Sequence, residues 1–395
     1  MRKTHLAVAA LAITALATAA LAAHASSARA DDGTAFTYAI YGDAPYGAAN
    51  HDVTEVLNTP AFIDSVNADP DVSRVIHVGD IHSGKDHCYQ NYNTDVYDLW
   101  QGIPFTISGN VTNPDGSKTA VTDAPVASPG FDDPLVYTPG DNEWTDCNKS
   151  GEGGGAGGDG FYDSSQTGHL PGDPLDNLAI VRSQFFATAG QTLGLNPADV
   201  TSQATAGPPK YRSFVENVRW EQAGAMFVTL DLPGGSNNDA TPWFGAASAS
   251  QRQLDEKALR TAADLQWLAQ AYDLAESHGD RGLVIASQAD MWDPEAGEPG
   301  GAGLDQYDSI VNRVATLTRA FNGQVLMLNG DSHVFQTGNP LSSDDSLFKY
   351  HPQRKSVPNF TRIVVHGSTL PLECLKLTID TSTADVFSWQ EMPIS

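Results

Sequence analysis

Short apolar runs recur along the chain, and several stop at a glycine followed by a polar residue. FTYAIYGD ends at Gly42-Asp43, RVIHVGD at Gly79-Asp80, LVYTPGD at Gly140-Asp141 and QVLMLNGD at Gly330-Asp331. GLVIASQAD (282–290) and FTRIVVHGS (360–368) have the same apolar build. Near-continuous apolar runs of this length predict strands in sheets covered on both faces. Helical patterns lie between them. From Gln253 to Ser277, Leu254, Ala258, Leu265, Leu268, Tyr272 and Ala275 fall near one face at helical spacing, with charged residues opposite. Residues 173–186 and 304–321 read the same way. Strands alternating with helices predict a layered α/β fold.

Two stretches break the pattern. Residues 106–133 are rich in Thr, Asn, Asp, Pro and Gly, and residues 150–173 contain GEGGGAGGDG. Both read as loop insertions that bury little and form a rim around the LVYTPGDNEW strand. The tail segments CLKLTID and ADVFSW read as a hairpin extending a sheet. At the other end, Arg2, Lys3 and His5 precede an apolar run from Leu6 to Ala23, followed by Ala28-Arg29-Ala30. That is the build of a secretory signal peptide over 1–30, leaving 31–395 as a single domain. Cys88 and Cys147 each lie a few residues past a Gly-Asp turn, and export permits their pairing. Cys374, inside a strand-like run, reads as a buried thiol. A formal net charge of -26 speaks against nucleic acid and anionic membrane surfaces as partners.

In layered α/β folds, ligands bind beyond the carboxyl ends of the strands. Here four such ends carry Gly-Asp. Glycine lets the backbone turn tightly there. Two carboxylates about 4 Å apart repel by roughly 4 kcal/mol at an effective dielectric of 20. Asp43, Asp80, Asp141 and Asp331 packed together therefore call for a multivalent cation or for protons. His333 adds a nitrogen. The rival reading is four solvated turns scattered along a rim.

The order of these motifs resembles the calcineurin-like metallophosphoesterases, the superfamily that includes the purple acid phosphatases. That family's pattern is D-x-H, G-D-x-x, G-N-H-[DE], a lone His, then G-H-x-H. This chain offers Asp43-Ala44-Pro45, Gly79-Asp80-Ile81-His82, Gly140-Asp141-Asn142-Glu143, Gln288 and Gly330-Asp331-Ser332-His333. GDAPYG, HVGDIHSG, TPGDNEWTDC and GDSHVF look like a secreted bacterial branch with GDNEW in place of G-N-H-E. The resemblance implies a four-layer β-sandwich flanked by helices, with two divalent metals at one edge. It implies that Asp43 and His333 hold the first metal, Asp80 bridges both, and Asp141 and Asp331 hold the second. Gln288 stands near the lone-His position, with Asp290 beside it as a substitute. The implied activity is hydrolysis of a small phosphorylated substrate by a metal-activated water.

The departures bear on chemistry. Pro45 replaces a histidine ligand. Asn142 replaces the histidine that would steady attack or protonate the leaving group, and an amide passes no proton. His82 is the stand-in candidate, with a solvated loop histidine as the plain alternative. His77 reads as structural and His87 as surface. His366 and the Asn237-Asn238 pair are minor candidates for the substrate. An oxygen-rich ligand set favours Mn, Fe, Ca or Mg over Zn. The alternative function is a metal-binding protein of the same fold without turnover.

Overall fold

The apolar runs that end in Gly-Asp form strands, and each is apolar on both faces because both faces are covered. The computed structural model describes residues 35–238, 242–293, 303–370 and 372–393. The leader read over 1–30 lies outside them. The described residues fall within one compact unit. In chain order the strands are β1 (Phe36–Tyr41), β2 (Val72–His77), β3 (Phe105–Thr112), β4 (Lys118–Val126), β5 (Leu135–Tyr137), β6 (Thr201–Ser202), β7 (Val218–Gln222), β8 (Ala225–Thr229), β9 (Gly282–Ala286), β10 (Gln324–Asn329), β11 (Gln336–Gly338), β12 (Phe360–Val364), β13 (Glu373–Ile379) and β14 (Phe387–Pro393). The α-helices are α1 (Thr54–Asn67), α2 (Gln90–Gln101), α3 (Pro174–Phe185), α4 (Gln203–Ala206), α5 (Gly234–Asn238), α6 (Gln251–His278) and α7 (Asp308–Ala320).

The fold is mixed α/β. One sheet has five strands in the order β14-β13-β1-β2-β5, the other seven in the order β11-β12-β10-β9-β8-β7-β6. β1, β2 and β5 run parallel, as do β8, β9, β10 and β12. β13 and β14 add an antiparallel hairpin at the edge of the first sheet.

Alternation along the strands divides the core. Tyr38 and Ile40 of β1 share a cluster with Phe227, Val284 and Leu328 of the other sheet, so these side chains lie between the sheets. Ala39 and Tyr41 point the other way, toward Phe62 of α1, Trp100 of α2 and Val181 of α3. On the seven-stranded sheet, Leu283 and Ile285 pack against Trp267 and Tyr272 of α6 and Val314 of α7. Burial of each large apolar side chain contributes about 1.5–3 kcal/mol.

Several elements differ from the sequence reading. Residues 105–126 form the β3–β4 hairpin rather than a loop. Only Ile107 and Val126 of its strand side chains are buried, so the apolar signature of a strand is weak although the β-branched Thr and Val are there. The 150–173 segment also buries more than expected. It wraps Cys88, with Cys88 N donating to Glu152 O (3.2 Å) and Phe161 N to Cys88 O (2.7 Å), and Glu152 is buried. In α6, Leu254 is exposed and Ala258 lies outside the core, whereas Gln253, Arg260 and Asp264 are buried. Polar partners hold them there: Asn217 donates to Asp264 (2.8 Å), and Arg260 donates to Asn237 Oδ1 (2.6 Å) and Asp231 O (3.2 Å). Among the described residues no helix is long and apolar enough to cross a membrane.

Candidate metal centre

The parallel strands of both sheets deliver their carboxyl ends to one edge. Asp43 follows β1, Asp80 follows β2, Asp141 follows β5, Gln288 follows β9 and Asp331 follows β10. Cross-strand backbone bonds fix these turns, with Asp43 N donating to Gly79 O (2.8 Å) and Gly330 N to Gln288 O (3.1 Å). Asp43, Asp80, Asp331 and His333 have φ of 48°, 57°, 76° and 61°. Left-handed backbone is unfavourable for side-chain-bearing residues and concentrates at functional sites.

Asp43, Asp80 and His333 each bring a ligand atom within 4.8 Å of the other two. His333 Nε2 lies 3.4 Å from Asp43 Oδ1. Asp331 N donates to both Asp43 carboxylate oxygens (3.0 and 3.2 Å). On the other side of Asp80, Gln288 Nε2 donates to Asp80 Oδ2 (3.2 Å) and Asp141 Oδ1 (3.0 Å). Its Oε1 accepts from Gly234 N. Glycines make room for the carboxylates, Gly140 and Gly234 among them. A Cβ on Gly140 would stand 1.9 Å from Asp80 Oδ1. One on Gly234 would meet Asp331 Oδ1 at 2.7 Å and Asp141 Oδ2 at 3.0 Å.

Burial, and then the Asp141, Glu143, Asp43 and Asp331 charges, push the Asp80 carboxyl well above the usual range. Burial and the Asp141 charge do the same to Asp331. Asp141 is raised to about 7, first by burial and then by Asp146. Burial draws His333 down, but its hydrogen bond to Asp43 and that carboxylate's charge outweigh it, and the net direction is up. Among the described residues no Lys or Arg forms an ion pair with these four carboxylates. Lys149, whose charge reaches Asp141, is itself paired with Asp146. Four carboxylates, a carboxamide and an imidazole around glycine-cleared space fit hard divalent cations. Two other groups of His and acidic residues are differently committed. His169 pairs with Asp176 (2.8 Å) while Asp173 caps α3 and binds Arg252. His278 pairs with Glu221 (2.6 Å), beside Asp280, with both partners of that pair exposed.

The GDNEW turn divides its acids. Asp141 enters the centre. Glu143 turns inward and accepts from Ile81 N (3.1 Å), Gly140 N (3.1 Å) and Tyr137 OH (2.7 Å), locking the turn. Trp144 is fully buried beneath the Arg260 guanidinium (5.4 Å). Asn142 donates from its backbone to Asp80 Oδ1 (3.2 Å) and from its amide to Asp80 Oδ2 (2.9 Å), His82 O (3.0 Å) and Tyr46 OH (3.1 Å). Cys88 and Cys147 are disulfide-bonded, with Cα atoms 5.6 Å apart, which joins the loop after Asp80 to the loop after Asp141. Cys374 is a buried free thiol, as the sequence indicated.

The remaining candidates sort by contact. The His82 backbone carbonyl reaches the centre, but its ring packs on Tyr92 (5.1 Å) with Nε2 4.0 Å from Cys88 Sγ. It is buried, so the solvated-loop alternative does not hold. Asp290 does not replace Gln288. Its carboxylate is taken by Arg362 (2.6 Å) and Ser332 (2.9 Å), while its N–H donates to Asp331 Oδ2 (2.9 Å). His77 bonds Ala44 O (2.7 Å) and accepts from Gly79 N (3.1 Å), and burial lowers it to about 4, so it is neutral. His87 pairs with Asp159 and His366 with Glu391 (3.1 Å). Asn237 is turned toward Arg260. The Asn238 side chain lies outside the described residues.

Tyr46 was not among the candidates. Besides its bond from Asn142, its ring meets His333 edge-on at 4.6 Å. Nothing local marks it, because its place depends on the turn at Asp43 and on Asn142, far along the chain. No model of a known protein family and no curated protein matches this chain.

Proposed function

We propose that the protein is a secreted, metal-dependent phosphoesterase of the calcineurin-like type, acting on a small phosphorylated substrate. The observation that carries this reading is the convergence of Asp43, Asp80, Asp141 and Asp331 with His333 at the carboxyl ends of strands from two sheets. Helix, sheet, sheet and helix layers around that edge support the family's four-layer sandwich. The disulfide and the basic-apolar leader pattern support export.

Asp43, Asp80 and His333 would hold one divalent ion. Asp80, Asp141 and Asp331, with the Gln288 carboxamide beside them, would hold a second. The chemistry such ions supply is Lewis-acid polarisation of a phosphoryl group and activation of water. The chain's own residues do the positioning. Asn142 holds both oxygens of Asp80, Gln288 spans Asp80 and Asp141, and Glu143 secures the turn that carries Asp141. Excluding polyanions follows from the net charge of -26.

The second reading, a metal-binding protein without turnover, is favoured by one observation. Asn142 offers no proton, and the His82 ring faces the disulfide. Metal analysis followed by a screen of aryl and alkyl phosphomonoesters and diesters with added Mn separates the two. Metal-dependent turnover of any ester supports the enzyme. Bound metal without turnover supports the second reading.

A further inference from the structure

An anionic substrate at this centre needs hydrogen-bond donors, and the protein commits most of its own. The Asn142 amide has two N–H bonds, and three acceptors already share them: Asp80 Oδ2, His82 O and Tyr46 OH. Lys and Arg form no ion pair with the four carboxylates among the described residues. Tyr46 is different. Its oxygen accepts from Asn142, and among the described residues no group accepts from its O–H. Burial, and then the Asp80 and Asp43 charges, raise this phenol above its ordinary value near 10, so it keeps that proton at neutral pH. The residue is half-buried, so one side of it faces solvent. Two contacts fix it: the edge-on packing against His333 at 4.6 Å, and the bond from its backbone N–H to the Glu55 carboxyl. The hydroxyl is thus rigidly held one amide group away from Asp80, with its proton uncommitted.

We propose that Tyr46 is a substrate-contacting residue whose hydroxyl donates to a non-bridging oxygen of the phosphoryl group at the carboxylate centre. This rests on the phosphoesterase reading. Asn142 would act through Tyr46 as a positioning residue, occupying the phenol's lone pair so that the proton points away from it. The function lost with the family's histidine is thereby split. Orientation stays at Asn142, and contact with the substrate passes to Tyr46.

The test compares Mn-loaded wild type with Tyr46→Phe, which keeps the ring against His333. Inorganic phosphate binding is measured by calorimetry, and an aryl phosphate supplies the kinetics. The expected result is about tenfold weaker phosphate binding and a KM raised about tenfold with kcat little changed, because the bond is made equally in ground and transition states. Mn content and melting temperature should match the wild type. Equal phosphate affinity in the two proteins would overturn the role of Tyr46 and leave the phosphoesterase reading standing. Loss of Mn from Tyr46→Phe would also overturn it, by placing the residue with the metal rather than the substrate. If Mn-loaded wild type binds no phosphate and turns over no ester, the phosphoesterase reading fails and the proposal with it.

Discussion

Asn142 grips Asp80 at both carboxylate oxygens, through its backbone N–H at 3.2 Å and its side-chain amide at 2.9 Å. A carboxylate held at two points keeps one orientation. The amide that holds it passes no proton to a leaving group. Aryl phosphates, whose phenolate leaves unaided, should therefore be cleaved far faster than alkyl phosphates. With the His82 ring against Tyr92 and the disulfide, His82→Ala should leave that ratio unchanged. Asn142→Ala should lower metal affinity or kcat/KM by about tenfold or more, the usual cost of losing a partner that orients a ligand. Values of kcat/KM for both ester types in the three proteins check this. A wild-type ratio near unity would show that a proton donor is present.

The missing side chain of Gly140 leaves room for the Asp80 carboxylate. A Cβ there would lie 1.9 Å from Asp80 Oδ1, so Gly140→Ala must displace either the turn or the ligand. Overpacking of this kind costs about 1–3 kcal/mol. The stability loss should come with weaker Mn binding, both read by calorimetry. A surface glycine such as Gly151, which has nothing within 4 Å and no left-handed backbone to strain, is the control for a purely local effect.

Acidity should act oppositely on the metal-free and metal-loaded forms. Asp80, Asp141 and Asp331 all have folded pKa values above the ordinary carboxyl value of 3.8. The folded state thus holds protons that the unfolded chain releases. In chelator, stability should be greatest at low pH and fall as pH rises from about 4 through about 7, the folded value of Asp141. Metal binding must displace those protons, so Mn affinity should weaken as pH drops below about 7. Urea unfolding across that window, with chelator and with Mn, checks both slopes. Metal-free stability that rises with pH over the same window would contradict the shared cause.

The Cys88–Cys147 bridge spans 59 residues. Closing a loop of that size contributes roughly 4 kcal/mol in the chain-entropy model. Cys88→Ser with Cys147→Ser should lower the urea midpoint accordingly. It should also weaken metal binding, because the bridge joins the loops that follow Asp80 and Asp141. An unchanged midpoint would mean that the wrapping by residues 150–173 alone suffices.

What could be read from the chain was local. Each Gly-Asp pair sits directly after an apolar run, so the strand and the acid at its end appear in the same few residues. The topology then carries Asp43, Asp80, Asp141 and Asp331 to one edge. The β3–β4 hairpin was not legible, because few of its residues are buried and a strand that buries little lacks apolar alternation. Nor was the role of Glu143 within GDNEW, where the resemblance implied only that Asp141 is a ligand. Their directions are set by partners elsewhere in the chain, Ile81 and Tyr137 for Glu143 and Gln288 for Asp141. Asp290 and Gln288 were likewise interchangeable on paper. The buried Arg362, from a strand 72 residues later, claims the Asp290 carboxylate and leaves the amide to face the centre.

We propose that the strand-end carboxylates share divalent cations. The most direct measurement is elemental analysis of Mn-loaded protein, paired with thermal melts in Mn and in excess chelator. A cation that binds only the folded form stabilises it by about 2.7 kcal/mol at a hundredfold excess over Kd. Wild type should retain two ions per chain and melt several degrees lower in chelator, and Asp80→Asn should lose ions and most of that difference. No retained ion, with identical melting in Mn and chelator, would contradict the account.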